Sequence, residues 1–149
     1  MPKLGKVDFT GVSDGGFKPI PAGTWDGQTS GWEAKEANDG QSMNVLGKFK
    51  FEFDDPETGE TRTQQHTQYY NLKPTALWRV KRDLIAIGAD PADLEGEDVD
   101  LEALFNELFG PRPVAVVGTF INDTWKRKNK QTGEDEEVPT TSMDKVEAA

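Results

Sequence analysis

Residues 42–53 read "SMNVLGKFKFEF", and their alternation decides the fold. Met43, Val45, Phe49, Phe51 and Phe53 share one face, while Asn44, Leu46, Lys48, Lys50 and Glu52 share the other, which is the period of a strand. One face is apolar enough to be buried, and the outer one is partly basic. After it, "DDPETGE" (54–60) is a hairpin turn, and "TRTQQHTQYYNL" (61–72) is a polar third strand whose parity its residues leave open. Before it, "TWDGQTSGWEAK" (24–35) reads as a first strand, with Gly27 and Gly31 marking a bulge or sharp bend.

Past residue 72 the period changes. In "KPTALWRVKRDLIAIG" (73–88), Leu77, Val80, Leu84 and Ile87 recur at helical spacing, with Pro74 at the start and Gly88 at the C-terminal cap. "DLEALFNELFG" (100–110) predicts a second short helix with Leu101, Leu104, Phe105 and Leu108 on one stripe. "PVAVVGTFIND" (113–123) is a buried strand, and "EEVPTTSMDKV" (136–146) a last strand in which Pro139 suits only an edge or a bulge. The chain is thus mainly β with an α insert. Its element order predicts a five-stranded OB-type Greek-key barrel with the helical insert between strands three and four. The expected boundaries are an irregular lead-in at 1–22, a barrel at 23–143 with its insert at about 73–110, and a short tail at 144–149.

A chain of 149 residues suits one domain with one core. Only 34% of residues are hydrophobic and 30% are charged, yet four tryptophans and eight phenylalanines are too many for a disordered chain. With no cysteine, disulfides, thiolate metal sites and thiol nucleophiles are excluded. No apolar run approaches the ~20 residues of a membrane span, and "MPKLGKVDFTG" lacks a signal-peptide core, so a cytoplasmic protein is expected. The net charge of -10 is segregated: Asp83 to Pro111 holds nine acids and no Lys or Arg, and Glu134 to Ala149 holds six acids against Lys145. Without the -9 of the first segment and the -5 of the second, the remainder stands at +4.

No catalytic residue is expected. His66, the lone histidine, reads as a surface or cross-strand residue, and Asp54, Asp55, Asp98 and Asp100 lack calcium-loop spacing. "FTGVSDGGFKP" (9–19) has no phosphate-loop lysine and serine. No metal or other cofactor is predicted.

Binding is the better-supported chemistry. OB barrels use the face of strands two and three and the loops joining strands one to two and four to five. "TWKRKNKQTG" (124–133) falls in the predicted loop between strands four and five, where Lys126, Arg127, Lys128 and Lys130 can neutralise phosphates and Trp125 can stack on a base. Lys48 and Lys50 on strand two, Arg62, Tyr69 and Tyr70 on strand three, and Trp32 complete a basic and aromatic candidate site. Each has a structural alternative. Trp25 and Trp32 suit a barrel core, Tyr70 and Trp78 suit packing of the insert helix, isolated Lys48 and Lys50 are what any exposed strand face carries, and the cations at 126–130 suit a solvated hairpin balanced by "EDEE" at 134–137.

"FTGVSDGGFKPIPAGTW", "NDGQSMNVLGKFKFE" and "NLKPTALWRVKRDLIAIG" together resemble a family of bacteriophage single-stranded-DNA-binding proteins with an OB fold, over roughly Phe9 to Asn122. The helix segment with Pro74, Ala76, Leu77, Trp78, Lys81, Leu84 and Gly88 is the most specific part. The resemblance implies single-stranded-DNA binding in phage replication or recombination, in the cytoplasm of the infected bacterium, and a packing role for Trp78. The chain departs from the family at Thr75, where relatives often carry Lys, in its longer and more charged loop between strands four and five, and in "DKVEAA", which has no terminal aromatic. The resulting expectation is a sequence-tolerant, non-enzymatic single-stranded-DNA-binding protein, with phage or host replication proteins as further partners. The alternative is an acidic interaction module that recruits or inhibits a basic partner.

Overall fold

The computed structural model describes residues 19–38, 40–128 and 131–149, leaving aside the side chains of 125–128 and 136. Most of the lead-in expected at 1–22, with Phe9 and Phe17, lies outside the described residues, as does Lys130.

Five strands form one antiparallel sheet in the order β3-β2-β1-β4-β5: β1 Gly23–Glu36, β2 Met43–Asp54, β3 Thr61–Asn71, β4 Ala115–Lys128 and β5 Asp135–Ala148. Two helices, α1 Leu77–Ala86 and α2 Leu101–Leu108, lie between β3 and β4, with a 3-10 turn at Pro91–Leu94. Among the described residues no ladder joins β3 to β5, so the sheet is open.

The alternation of β2 sets the core. Val45, Phe49, Phe51 and Phe53 are all buried, and Phe51 packs edge-on to Phe120 at 5.1 Å between centroids. Two glycines make room for the Phe51 ring. A Cβ on Gly27 of β1 would stand 2.4 Å from the Lys50 carbonyl oxygen and 2.5 Å from that ring, and one on Gly118 of β4 would stand 2.6 Å from it. The expected bulge is present: the β1–β2 register shifts between Thr29 and Gly31, and Gly31 has φ +130°.

In α1, Val80, Leu84 and Ile87 are buried as the periodicity predicts, but Leu77 in the first turn is 38% exposed. Gly88, at φ +129°, ends the helix, its N–H reaching the Ile85 carbonyl and that of Ala89 reaching Leu84, a Schellman pair. Asp100 caps α2 by accepting from the Ala103 N–H at 3.1 Å. Phe105 and Phe109 then pack at 5.3 Å over one end of the sheet.

Side chains span the seam between the two free edges. At one end Ile20 is buried and its carbonyl accepts from the Thr141 hydroxyl of β5, while the His66 ring of β3 stands edge-on to Phe120 at 5.2 Å. At the other end α1 is fastened to both strands. The Tyr70 hydroxyl of β3 donates to Asp83 at 2.8 Å, Arg82 donates to the Asp144 carbonyl of β5 at 3.2 Å, and Arg79 to that of Met143 at 3.3 Å.

Two boundaries differ from the sequence reading. β4 runs on to Lys128, so Trp125 to Lys128 are strand backbone rather than loop, and β5 runs to Ala148 through the expected tail. The apolar run ends at Ile121, but the ladder does not, because β5 supplies a partner to every residue up to Lys128. β1 pairs with β4 only as far as Gly23 with Phe120, so 121–128 and 135–142 form a two-stranded arm beyond the sheet. At ~3.4 Å per residue the arm is about 24 Å long. Pro139, opposite Thr124, sits on an edge strand as it must.

Candidate nucleic-acid interface

Register fixes which residues share the outward face of the sheet. Lys50 lies between Gln28 of β1 and Gln65 of β3, Lys48 between Gly31 and Thr67, and Leu46 between Glu33 and Tyr69. Lys48 and Lys50, which the sequence puts on one face, are joined there by Tyr69, whose parity the sequence leaves open and which is 59% exposed. Gly31 leaves open space beside Lys48, where a Cβ would meet nothing within 4 Å. The amides and hydroxyls of Gln28, Gln65 and Thr67 surround the lysines with uncharged donors and acceptors. Glu33 stands 3.8 Å from the Lys48 ammonium in an exposed pair, which a competing phosphate can displace at little cost.

Charge changes sign along this face. Toward the β2–β3 turn it carries Asp54, Glu52 and Asp26, and in the other direction Lys50 and Lys48 lead to Tyr69, Asn71 and Lys73. A polyanion laid on the face is repelled at the first end and drawn toward α1.

The same register takes three expected residues out of the interface. Tyr70 pairs with Val45 on the inner face and is 2% exposed, so its ring belongs to the core. Burial first, and the Asp83 carboxylate second, push its hydroxyl far above the ordinary tyrosine range. Arg62 pairs with Phe53 on that inner face, its guanidinium 2.8 Å from the buried Asp55 carboxylate and 5.2 Å from the Phe53 centroid. It ties down the β2–β3 turn. Trp32 pairs with Gly47, packs on Phe105 at 5.6 Å and donates to the Asn106 side chain at 3.0 Å, and Trp25 donates to the Pro21 carbonyl at 2.8 Å. Both indoles follow the packing alternative.

The cationic stretch occupies the arm. Trp125, Lys126, Arg127 and Lys128 are register partners of Val138, Glu137, Glu136 and Asp135, so a run of cations lies opposite a run of carboxylates in one ribbon. Opposite charges at paired positions stabilise a ribbon and lower its net charge. The backbone here is thus ribbon rather than loop, and the register is the one that the balanced-hairpin alternative requires.

One further residue differs from expectation. Trp78, given a packing role by the family resemblance, is 62% exposed. Its position directly after Leu77 takes it off the stripe of Val80, Leu84 and Ile87, and that spacing was the available signal. His66 takes the cross-strand alternative: it pairs with Phe49, is partly buried against Phe120, and its Nε2 lies 3.0 Å from the Gln68 amide oxygen. Burial lowers its basicity more than that hydrogen bond raises it, and the Arg79 charge lowers it further.

No protein-family model matches this chain, and no curated protein matches it. Function rests on the geometry. Among the described residues no three His, Asp or Glu side chains converge as a metal site would need, and no helix is long and apolar enough to cross a membrane.

Proposed function

We propose that the protein binds single-stranded DNA, without strong sequence preference, on the outward face of β2 and β3. The observation that carries this reading is the register that places Lys48, Lys50 and the exposed Tyr69 on one face, with Gln28, Gln65 and Thr67 beside the lysines. Ammonium groups take phosphates, and the phenol ring offers a stacking surface that any base can use. A duplex hides its base faces, so the site prefers an unpaired strand. The strand order and the helices between β3 and β4 suit an OB-type barrel whose open seam lies between β3 and β5. In such a barrel this face is the oligonucleotide platform. A role in phage replication or recombination accords with the resemblance of 73–88 to phage single-stranded-DNA-binding proteins.

The test is a fluorescence-anisotropy titration of labelled single-stranded DNA, duplex DNA and RNA at low and moderate salt, with a Lys48→Ala/Lys50→Ala variant alongside. Each phosphate left without its ammonium should reduce the log-log salt slope by about 0.7. Preferential single-strand binding with a shallower slope in the variant supports the reading. No binding at low salt, or binding insensitive to salt, overturns it.

A second reading has its own observation. Glu95, Glu97, Asp98, Glu102 and Glu107 of the insert are exposed and form no ion pair with a described residue. That surface suits a basic protein partner. Charge-neutralising these residues abolishes capture of such a partner, yet leaves or improves DNA binding if the first reading holds.

A further inference from the structure

We propose that Tyr69, Trp78 and Arg79 form a seat for one nucleobase of the bound strand, at the corner where β3 meets α1. The proposal rests on the single-strand reading above and extends it to a residue that neither the sequence motifs nor the family resemblance assigned to binding.

Single exposed aromatics are ordinary on protein surfaces. Here two large rings, 59% and 62% exposed, line the same depression of about 260 Å³. Arg79 lines it too, its Nη2 anchored on the Met143 carbonyl and its Nε buried without a hydrogen-bond partner among the described residues. An oxygen entering the depression, from a base carbonyl or a phosphate, is drawn by the positive charge of the guanidinium that lines it. Aromatic face and acceptor-seeking donor are together what a nucleobase presents complements to.

The indole is held ready. The Arg82 guanidinium lies 5.4 Å from the Trp78 ring centroid, and Arg82 is itself fixed by Asp83 at 2.9 Å and by the Asp144 carbonyl at 3.2 Å. A ring already positioned loses little freedom when a base stacks on it. The charge fits a polyanion as well: Lys73, Arg79, Lys81 and Arg82 lie within ten residues, and the nearby Asp83 is buried and engaged by Tyr70 and Arg82. On its other side Trp78 borders a largely apolar groove whose charged lining residues are Lys81 and Glu97, of opposite sign. The track runs from Lys50 and Lys48 past Tyr69 and ends at Trp78.

The experiment titrates fluorescein-labelled oligothymidylate with wild type, Trp78→Ala, Trp78→Phe, Tyr69→Ala and Lys48→Ala/Lys50→Ala. Trp78→Ala and Tyr69→Ala should each weaken binding about 5- to 150-fold, the range for losing one stacked base, with the salt slope unchanged. Trp78→Phe should recover part of the loss. Irradiating the wild-type complex with a 5-bromodeoxyuridine oligonucleotide should place the cross-link at Trp78 or Tyr69. Both ring positions are exposed, so thermal unfolding midpoints should stay at the wild-type value. Wild-type binding that depends on Lys48 and Lys50 but is untouched by Trp78→Ala and Tyr69→Ala overturns this seat alone. Failure of the wild type to bind overturns it together with the broader reading.

Discussion

The Tyr70 hydroxyl donates to Asp83 at 2.8 Å, with both residues 2% exposed, and that hydrogen bond fastens β3 to α1. Asp83 also accepts from Arg82, which reaches the Asp144 carbonyl, so one buried carboxylate joins the two strands that share no ladder. Tyr70→Phe keeps the ring and removes one donor from a buried acceptor. Its expected cost is about 1.5 to 3 kcal/mol, read as a lower urea midpoint with an unchanged slope.

Alkaline pH tests the same residue. The folded Tyr70 hydroxyl titrates far above the ordinary value of 10.0 that it recovers on unfolding. Its contribution to stability is therefore intact below pH 10 and is lost as pH rises beyond it, because only the unfolded chain ionises there. In a spectrophotometric titration one of the two tyrosines should stay silent until the protein unfolds. Ionisation of both in the folded state would remove Tyr70 from the core.

Acid acts through His66. Its folded pKa lies below 6.5, so the stability tied to the neutral ring is present above pH 6.5 and is lost as pH falls from there through the folded value. His66→Gln should flatten stability against pH between 7.5 and 5. As the lone histidine, it gives a single imidazole proton signal whose midpoint should fall below 6.5.

Gly118→Ala drives a Cβ to 2.6 Å from the Phe51 ring, and Gly27→Ala drives one to 2.4 Å from a backbone oxygen. Each should destabilise by about 1 to 3 kcal/mol by overpacking. Adding Phe51→Leu should relieve Gly118→Ala more than Gly27→Ala, because only the second meets backbone. Thermal unfolding of the singles and doubles measures the difference.

Arg62→Ala separates structure from recognition. Asp55 is 5% exposed and loses its 2.8 Å guanidinium partner, so the variant should lose about 1 to 3 kcal/mol of stability. Its salt slope for single-stranded DNA should match wild type. A shallower slope would return Arg62 to the interface.

The strands and the helical insert were legible because Phe49, Phe51, Phe53, Val80 and Leu84 repeat at the periods of their elements. β3 was legible as a strand but its parity was not, since its inner face carries Gln64, His66 and Gln68 along the seam, where polarity no longer separates inside from outside. That is why Tyr69 and Tyr70 had to be parted by register. Trp125 to Lys128 looked like loop because the apolar run that marks a buried strand ends at Ile121, whereas the backbone ladder with β5 continues to Lys128. Arg62 and Trp32 were misplaced for a related reason: a cation or an indole has binding chemistry, but a buried carboxylate or a neighbouring phenylalanine can claim it first.

The seam has a consequence for how the interior can vary. A closed ladder fixes a perimeter, whereas here the distance between two edges is set by a hydroxyl, two guanidiniums and an isoleucine. The molecule is tailored tightly on one flank, where Phe51 rests between two glycines, and fastened by clasps on the other. Changes of side-chain volume should be absorbed at the seam beside Ile20 and Thr141 and refused where the Phe51 ring meets Gly27 and Gly118, giving the same sheet a rigid flank and an adaptable one.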